Sequence, residues 1–135
     1  MTSVLRDLVV LRARHACEYC KTPQSARRLT FHIDHIIARQ HGGETLEANL
    51  ALACGHCNRH KGTNLSGIDP ETGSVVSLFN PRTDRWNEYF SVEAAYIIGL
   101  TATGRATVHL MKMNAPDEVA ARSELLASRG RLTID

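Results

Sequence analysis

The sequence predicts an α+β fold in which a strand–loop–strand–helix core is stapled by four cysteines and followed by a β-hairpin and helix extension. Two CxxC pairs, Cys17/Cys20 and Cys54/Cys57, enclose a long segment that must itself be structured. Within that segment "RRLTFHIDHI" and "NLALA" read as strands on either side of a Gly-Gly loop. Beyond Gly62 the chain changes to short β-type runs broken by Asp69-Pro70 and Asn80-Pro81, the pattern of an added unit.

Taken in order, Ser3 is expected to cap a first helix running to about Arg14, with Val4, Leu8 and Leu11 on one stripe. This helix delivers the chain into the first cysteine turn, where Pro23 marks an irregular stretch. The loop "IIARQHGGETLEA" turns at Gly42-Gly43, and the Cys54 turn opens a short helix through about Asn64. Trp86, Tyr89 and Phe90, at i, i+3, i+4 spacing, read as core. "IIGLTATGRATVHLMKM" reads as a hairpin with Ala106, Val108 and Leu110 on one face. Asn114 then caps a last helix, roughly 115 to 128, ended by Gly130. With no repeat or long linker, the chain divides into a core over residues 1–66 and an extension over 67–135 packed on it.

Composition excludes several classes. Hydrophobic content of 43% and charged content of 22% are those of a globular protein that buries a real core. No apolar run approaches the ~20 residues a membrane helix needs. The opening "MTSVLRDLVVLRAR" is too mixed in charge for a secretory signal, so a cytoplasmic location is expected. Net charge is only +2, but it is unevenly spread. Residues 12–61 hold eight Lys/Arg against four Asp/Glu, while residues 62–135 hold seven against nine. The positive half contains the metal-type residues, which suits a phosphate-facing surface better than a merely solvated face.

Two CxxC pairs suit a tetrahedral Zn(Cys)4 site, each pair giving two thiolates from a tight turn. Disulfides are unusual in a reducing compartment, and a redox CxxC needs a βαβ setting that is missing here. Four thiolates fill the zinc's tetrahedron and leave no open position for catalysis. Asp34 and the histidines of "FHIDHIIARQHGGETLEANLALACGHCNRHKG" are thus free for other work. A carboxylate and a carboxamide suit Mg²⁺ or a similar hydrated ion, and a neutral His beside it can take a proton from water. That combination points to metal-assisted phosphodiester hydrolysis.

The order CxxC, Asp-His-Ile-Ile, Gly-Gly, Asn-Leu, CxxC-Asn-x-x-Lys resembles the zinc-containing HNH endonucleases, over about residues 14–64. The resemblance implies a ββα-metal core, DNA as substrate, a structural zinc and a catalytic Mg²⁺ or Mn²⁺. It makes His35 the general base, Asp34 a ligand of the catalytic ion, and Asn49 the residue that orients the His-bearing loop. Asn58 falls at the third signature position, another ligand of that ion, so the chain would read H-N-N. Lys61 matches a basic residue common there, and Arg39, Arg59 and Lys61 become phosphate contacts. His60, two residues after Asn58, is a substitute ligand or phosphate contact. The family pattern also implies 5′-phosphate and 3′-hydroxyl ends. One active site per chain cuts one strand per encounter, so double-strand cleavage implies a homodimer.

Strand periodicity disagrees on one point. Alternation places His32 with Asp34 on one face and His35 on the other, making His32 and Asp34 the natural ligand pair. The resemblance implies instead that regular pleating ends at Asp34-His35, leaving His32 as a neighbour of the site or a DNA contact. The remaining histidines read as surface or loop residues. The rival reading is a zinc-stapled nucleic-acid-binding module without catalysis, which needs the cysteines and basic residues but not Asp34, His35, Asn49 and Asn58 together.

Overall fold

The computed structural model describes residues 1–129 and 132–134. Along them run α1 (Ser3–Arg12), β1 (His32–His35), β2 (Leu50–Ala53), α2 (Gly55–Lys61), β3 (Ser66–Ile68), β4 (Val75–Ser77), α3 (Trp86–Tyr89), β5 (Phe90–Glu93), β6 (Tyr96–Gly99), α4 (Ala102–Leu110) and α5 (Pro116–Arg129). Successive strands pair antiparallel into three two-stranded sheets. The α+β class and the strand–loop–strand–helix core are both present.

Helix α1 starts one residue earlier than Ser3 would set it. Thr2 is extended and its hydroxyl accepts the Leu5 N–H at 3.2 Å, so Ser3 is the first helical residue. The expected stripe is also rotated. Val9 is buried, while Val4 and Leu11 remain exposed, because the helix docks through Leu5, Val9, Val10 and Ala13. The Arg12 guanidinium donates to the carbonyls of Glu47 and Leu50 and ties α1 to the head of β2. Arg14 and His15, both at positive φ, then reverse the chain into the first cysteine turn.

Only the last part of "RRLTFHIDHI" pairs as strand. The register runs His32–Ala53, Ile33–Leu52, Asp34–Ala51 and His35–Leu50, and the Ile36 N–H donates to the Asn49 carbonyl one step further. Both β2 and the four cysteines are buried, so this small sheet sits against the core. That core is one cluster. It joins Val9, Tyr19, Phe31, Leu50 and Leu52 to Phe79, Trp86, Phe90, Ile97, Met111 and Met113 from the second half. Trp86 and Phe90 are interior as their spacing predicts.

The second half corrects the expected hairpin over residues 97–113. Strand β6 pairs with β5 and stops at Gly99, and the next residues form helix α4. Thr101 caps it, accepting the Gly104 N–H at 2.9 Å, and Ala106 and Thr107 are fully buried. The β-branched residues that suggested a strand serve the helix locally: Thr101 as cap, and Thr107 through its hydroxyl on the Thr103 carbonyl. Gly104 has no substitute here, since a Cβ would lie 2.2 Å from the Tyr89 carbonyl oxygen. Asn114 does not cap α5 through its side chain; its carboxamide bonds both the N–H and the carbonyl of Ile97. The proposed stop at Gly130 lies outside the described residues. Among the described residues no helix is long and apolar enough to cross a membrane.

Candidate metal centre and its neighbouring histidine

Cys17, Cys20, Cys54 and Cys57 are gathered so that their sulfurs all lie within 4.8 Å of one another, and all four are buried. The two turns are built alike. The Cys20 N–H donates to Cys17 Sγ, and the Cys57 N–H to Cys54 Sγ, each at 3.4 Å. Cys54 is at the same time the cap of α2, so the turn that presents its sulfur also starts the helix. Burial pushes the Cys17 thiol up; the neighbouring thiols push Cys57 up and draw Cys20 down. Crowded sulfurs in a dry setting resist carrying several negative charges unless a cation sits among them. The donor set, tetrahedral in number and soft in kind, fits one zinc ion.

The first cysteine turn is anchored through the residues between its sulfurs. The Glu18 N–H donates to the Leu52 carbonyl, and the Glu18 carboxylate accepts the Leu52 N–H, both at 2.8 Å. Arg82 pairs with the other Glu18 oxygen, and the Trp86 indole N–H donates to the Tyr19 carbonyl at 2.8 Å. Tyr19 itself points inward. Its hydroxyl donates to Asp34 Oδ2 at 2.7 Å, linking the cysteine turn to β1.

Strand β1 ends at His35, where the resemblance placed its end, and up to that residue β2 supplies a partner for every position. Along β1, Asp34 is buried and His35 half-buried. Asp34 is turned inward, 5% exposed, between Tyr19 and Lys61. Burial pushes its carboxyl up, while Lys61 and Tyr19 pull against that shift. The Tyr19 hydroxyl is pushed up by burial and by Asp34.

Lys61, which the sequence placed at a phosphate, is 2% exposed. Its ammonium lies 3.1 Å from Asp34 Oδ2 and donates to the carbonyls of His35 and Ile36 at 3.2 and 3.1 Å. Asn58 precedes it by one turn of α2 and is half-buried. His60 is directed elsewhere: its Nδ1 lies 2.8 Å from the His56 carbonyl, and the two rings lie 4.3 Å apart between centroids, tilted by 43°. His32, Arg39 and Arg59 are exposed.

At the end of β1, His35 Nε2 lies 2.9 Å from Thr45 Oγ1. Thr45 belongs to the loop between β1 and β2, and Asn49 closes that loop. The Asn49 carboxamide accepts the Ile37 N–H at 2.8 Å and donates to the carbonyls of Ile37 and Glu44 at 3.0 and 2.9 Å. Gly43 is obligatory within it, because a Cβ there would lie 1.7 Å from the Ile37 carbonyl oxygen. His41 adds a bond to the Thr63 carbonyl at 3.1 Å, holding the loop to the end of α2. Sequence reasoning missed Tyr19 and Thr45. Neither lies at a spacing that marks it, and only Tyr19, set between two ligand-type cysteines, had a positional hint.

The family model for HNH endonucleases matches residues 17–64 of the chain. That span begins at the first of the four cysteines and ends just past α2, so it holds the cysteine cluster, β1, the Asn49-closed loop and Lys61. No curated protein and no solved structure matches the chain. A mixed α+β core with four clustered cysteines agrees with this match, so residues 17–64, about a third of the chain, are similar to the HNH endonucleases.

Proposed function

We propose that the protein is a metal-dependent endonuclease that hydrolyses DNA phosphodiester bonds, with one zinc in the cysteine cluster and one Mg²⁺ or Mn²⁺ at the catalytic site. The observation that carries this reading is His35, half-buried at the end of β1 and set against Thr45, whose loop Asn49 fastens, within the HNH-matched span. With Nε2–H donating to Thr45, Nδ1 keeps the lone pair and takes a proton from water. The water oxygen attacks phosphorus in line; the bond to the 3′ oxygen breaks, leaving a 5′-phosphate and a 3′-hydroxyl that takes its proton from solvent.

Asp34 and Asn58 are the residues that would hold the divalent ion. Their carboxylate and carboxamide oxygens are hard donors suited to an ion that keeps most of its waters. When bound, such an ion supplies Lewis-acid stabilisation of the charge developing on the phosphate and on the departing oxygen. Arg39 and Arg59, both exposed, are proposed to meet backbone phosphates, a contact that positions DNA without reading its sequence.

The inward pairing of Asp34 with Lys61 favours a second reading, a zinc-stapled module that binds nucleic acid without cutting it. Incubation with supercoiled plasmid separates the two. Nicked circles that require Mg²⁺ or Mn²⁺ and vanish with a chelator support the nuclease. Retarded but uncut plasmid under every metal condition supports the binding module.

A further inference from the structure

Three oxygens converge on one buried point beside the HNH signature residues. Asp34 Oδ2, the His35 carbonyl and the Ile36 carbonyl lie 3.1, 3.2 and 3.1 Å from the Lys61 ammonium, and a fourth contact, to Asp34 Oδ1, measures 3.3 Å. A carboxylate with two backbone carbonyls is the kind of hard-oxygen set that cations take, and here an ammonium fills it. Lys61 is 2% exposed, so this is an interior cation rather than a surface charge. Two cations cannot share one carboxylate at close range in a dry site without strong repulsion. The side chain also has somewhere to go. A cavity of about 380 Å³ adjoins it, walled by apolar side chains that include Ile37, Leu65 and Leu78 and by the polar Asn64, Asn80 and Asp84.

We propose that Lys61 occupies the divalent ion's place against Asp34 in the metal-free protein and withdraws into this cavity when the ion binds. The inference rests on the assignment of Asp34 to the catalytic ion. It makes Lys61 an internal competitor that sets the ion concentration at which the site loads. It also joins loading to His35, because the same ammonium leaves the His35 carbonyl as it leaves Asp34.

The test uses the zinc-loaded full chain without DNA and Mn²⁺ as the probe. Free Mn²⁺ is followed by its electron paramagnetic resonance signal. Lys61→Met is expected to bind Mn²⁺ at least ten-fold more tightly than the unaltered protein, and Asp34→Asn to lose that binding, with zinc content and circular dichroism unchanged in each. The unaltered protein gives an independent reading. Lys61 should react slowly with an amine-modifying reagent, and at least ten-fold faster at saturating Mn²⁺, by peptide mass; this arm decides if Lys61→Met does not fold. Mn²⁺ binding that ignores Asp34, or that leaves Lys61 equally protected, or that is no tighter in a folded Lys61→Met, overturns the proposal. Plasmid nicking is scored separately. Absence of nicking with intact Mn²⁺–Lys61 exchange rejects the nuclease and keeps the exchange.

Discussion

Asn49 holds the peptide groups of Ile37 from both sides, accepting its N–H at 2.8 Å and donating to its carbonyl at 3.0 Å. The same amide nitrogen reaches the Glu44 carbonyl at 2.9 Å, so one side chain joins the two ends of the loop that carries Thr45. Thr45 in turn meets the His35 ring. The path from Asn49 to His35 is thus a short chain of hydrogen bonds, with no chemistry required of Asn49 itself.

Asn49→Ala removes all three bonds and frees the loop. Misplacement by about 1 Å costs on the order of 10²-fold in rate, and a loss of that size in nicking is expected while zinc content stays at one per chain. Asn49→Asp retains the acceptor for Ile37 but not the two donors, so it should fall between. Retention of full nicking by Asn49→Ala would show that the loop needs no such fastening.

Thr45→Val keeps the shape of the side chain and deletes the oxygen beside His35 Nε2. Partners that orient a functional histidine typically contribute roughly 10–100-fold, and a reduction in that range is expected. Thr45→Ser, which keeps the oxygen beside His35 Nε2, should restore most of the rate. A rate as low in Thr45→Ser as in Thr45→Val would assign Thr45 to loop packing alone.

Elemental analysis should find one zinc per chain, present in His35→Ala and lost in Cys54→Ser. Structural zinc sites contribute roughly 10–16 kcal/mol of apparent binding free energy, so a strong chelator should collapse the thermal transition rather than shift it slightly. Protons compete for the thiolates, and zinc should be released as the pH is lowered. A chelated protein that melts unchanged would remove the cysteine cluster from the account of the fold.

The second half offers a charge pair with a defined pH response. Asp69 accepts the Arg105 fork through both oxygens at 2.9 Å, with the Glu71 N–H and the Thr72 hydroxyl adding two more bonds. The Arg105 guanidinium holds the Asp69 carboxyl well below the usual carboxylate range. A carboxylate more acidic in the folded than in the unfolded chain adds stability above its unfolded value, about pH 4, and loses it as the pH falls towards the folded value. Arg105→Gln should therefore lower the melting temperature most at neutral pH, and the gap to the unaltered protein should narrow below about pH 4. A gap independent of pH would mean that Arg105 acts through packing.

The core was legible in the sequence because its signals are local and chemically specific. Two CxxC turns, a strand ending in Asp34-His35, and Asn49 at the head of β2 each name a residue type that few other roles require. What the sequence hid was direction. Lys61 reads as a surface cation from its place in "NRHKG", yet three interior oxygens near β1 draw it inside. The strand end at Asp34-His35 rested on resemblance, and β1 does stop at His35. Helix α4 was hidden for a different reason: its threonines and Val108 favour strands by propensity, and only the Thr101 cap and the buried Ala106 and Thr107 identify it. Tertiary contact, not local preference, made those choices.

The central claim, that His35 is the base of a phosphodiester hydrolysis, is tested most directly by the rate of plasmid nicking in Mg²⁺ by the unaltered chain and by His35→Ala, both shown to hold one zinc and to fold. General-base catalysis contributes typically 10²–10⁴-fold, and a loss within that range is predicted. Equal nicking by the two proteins would contradict the account.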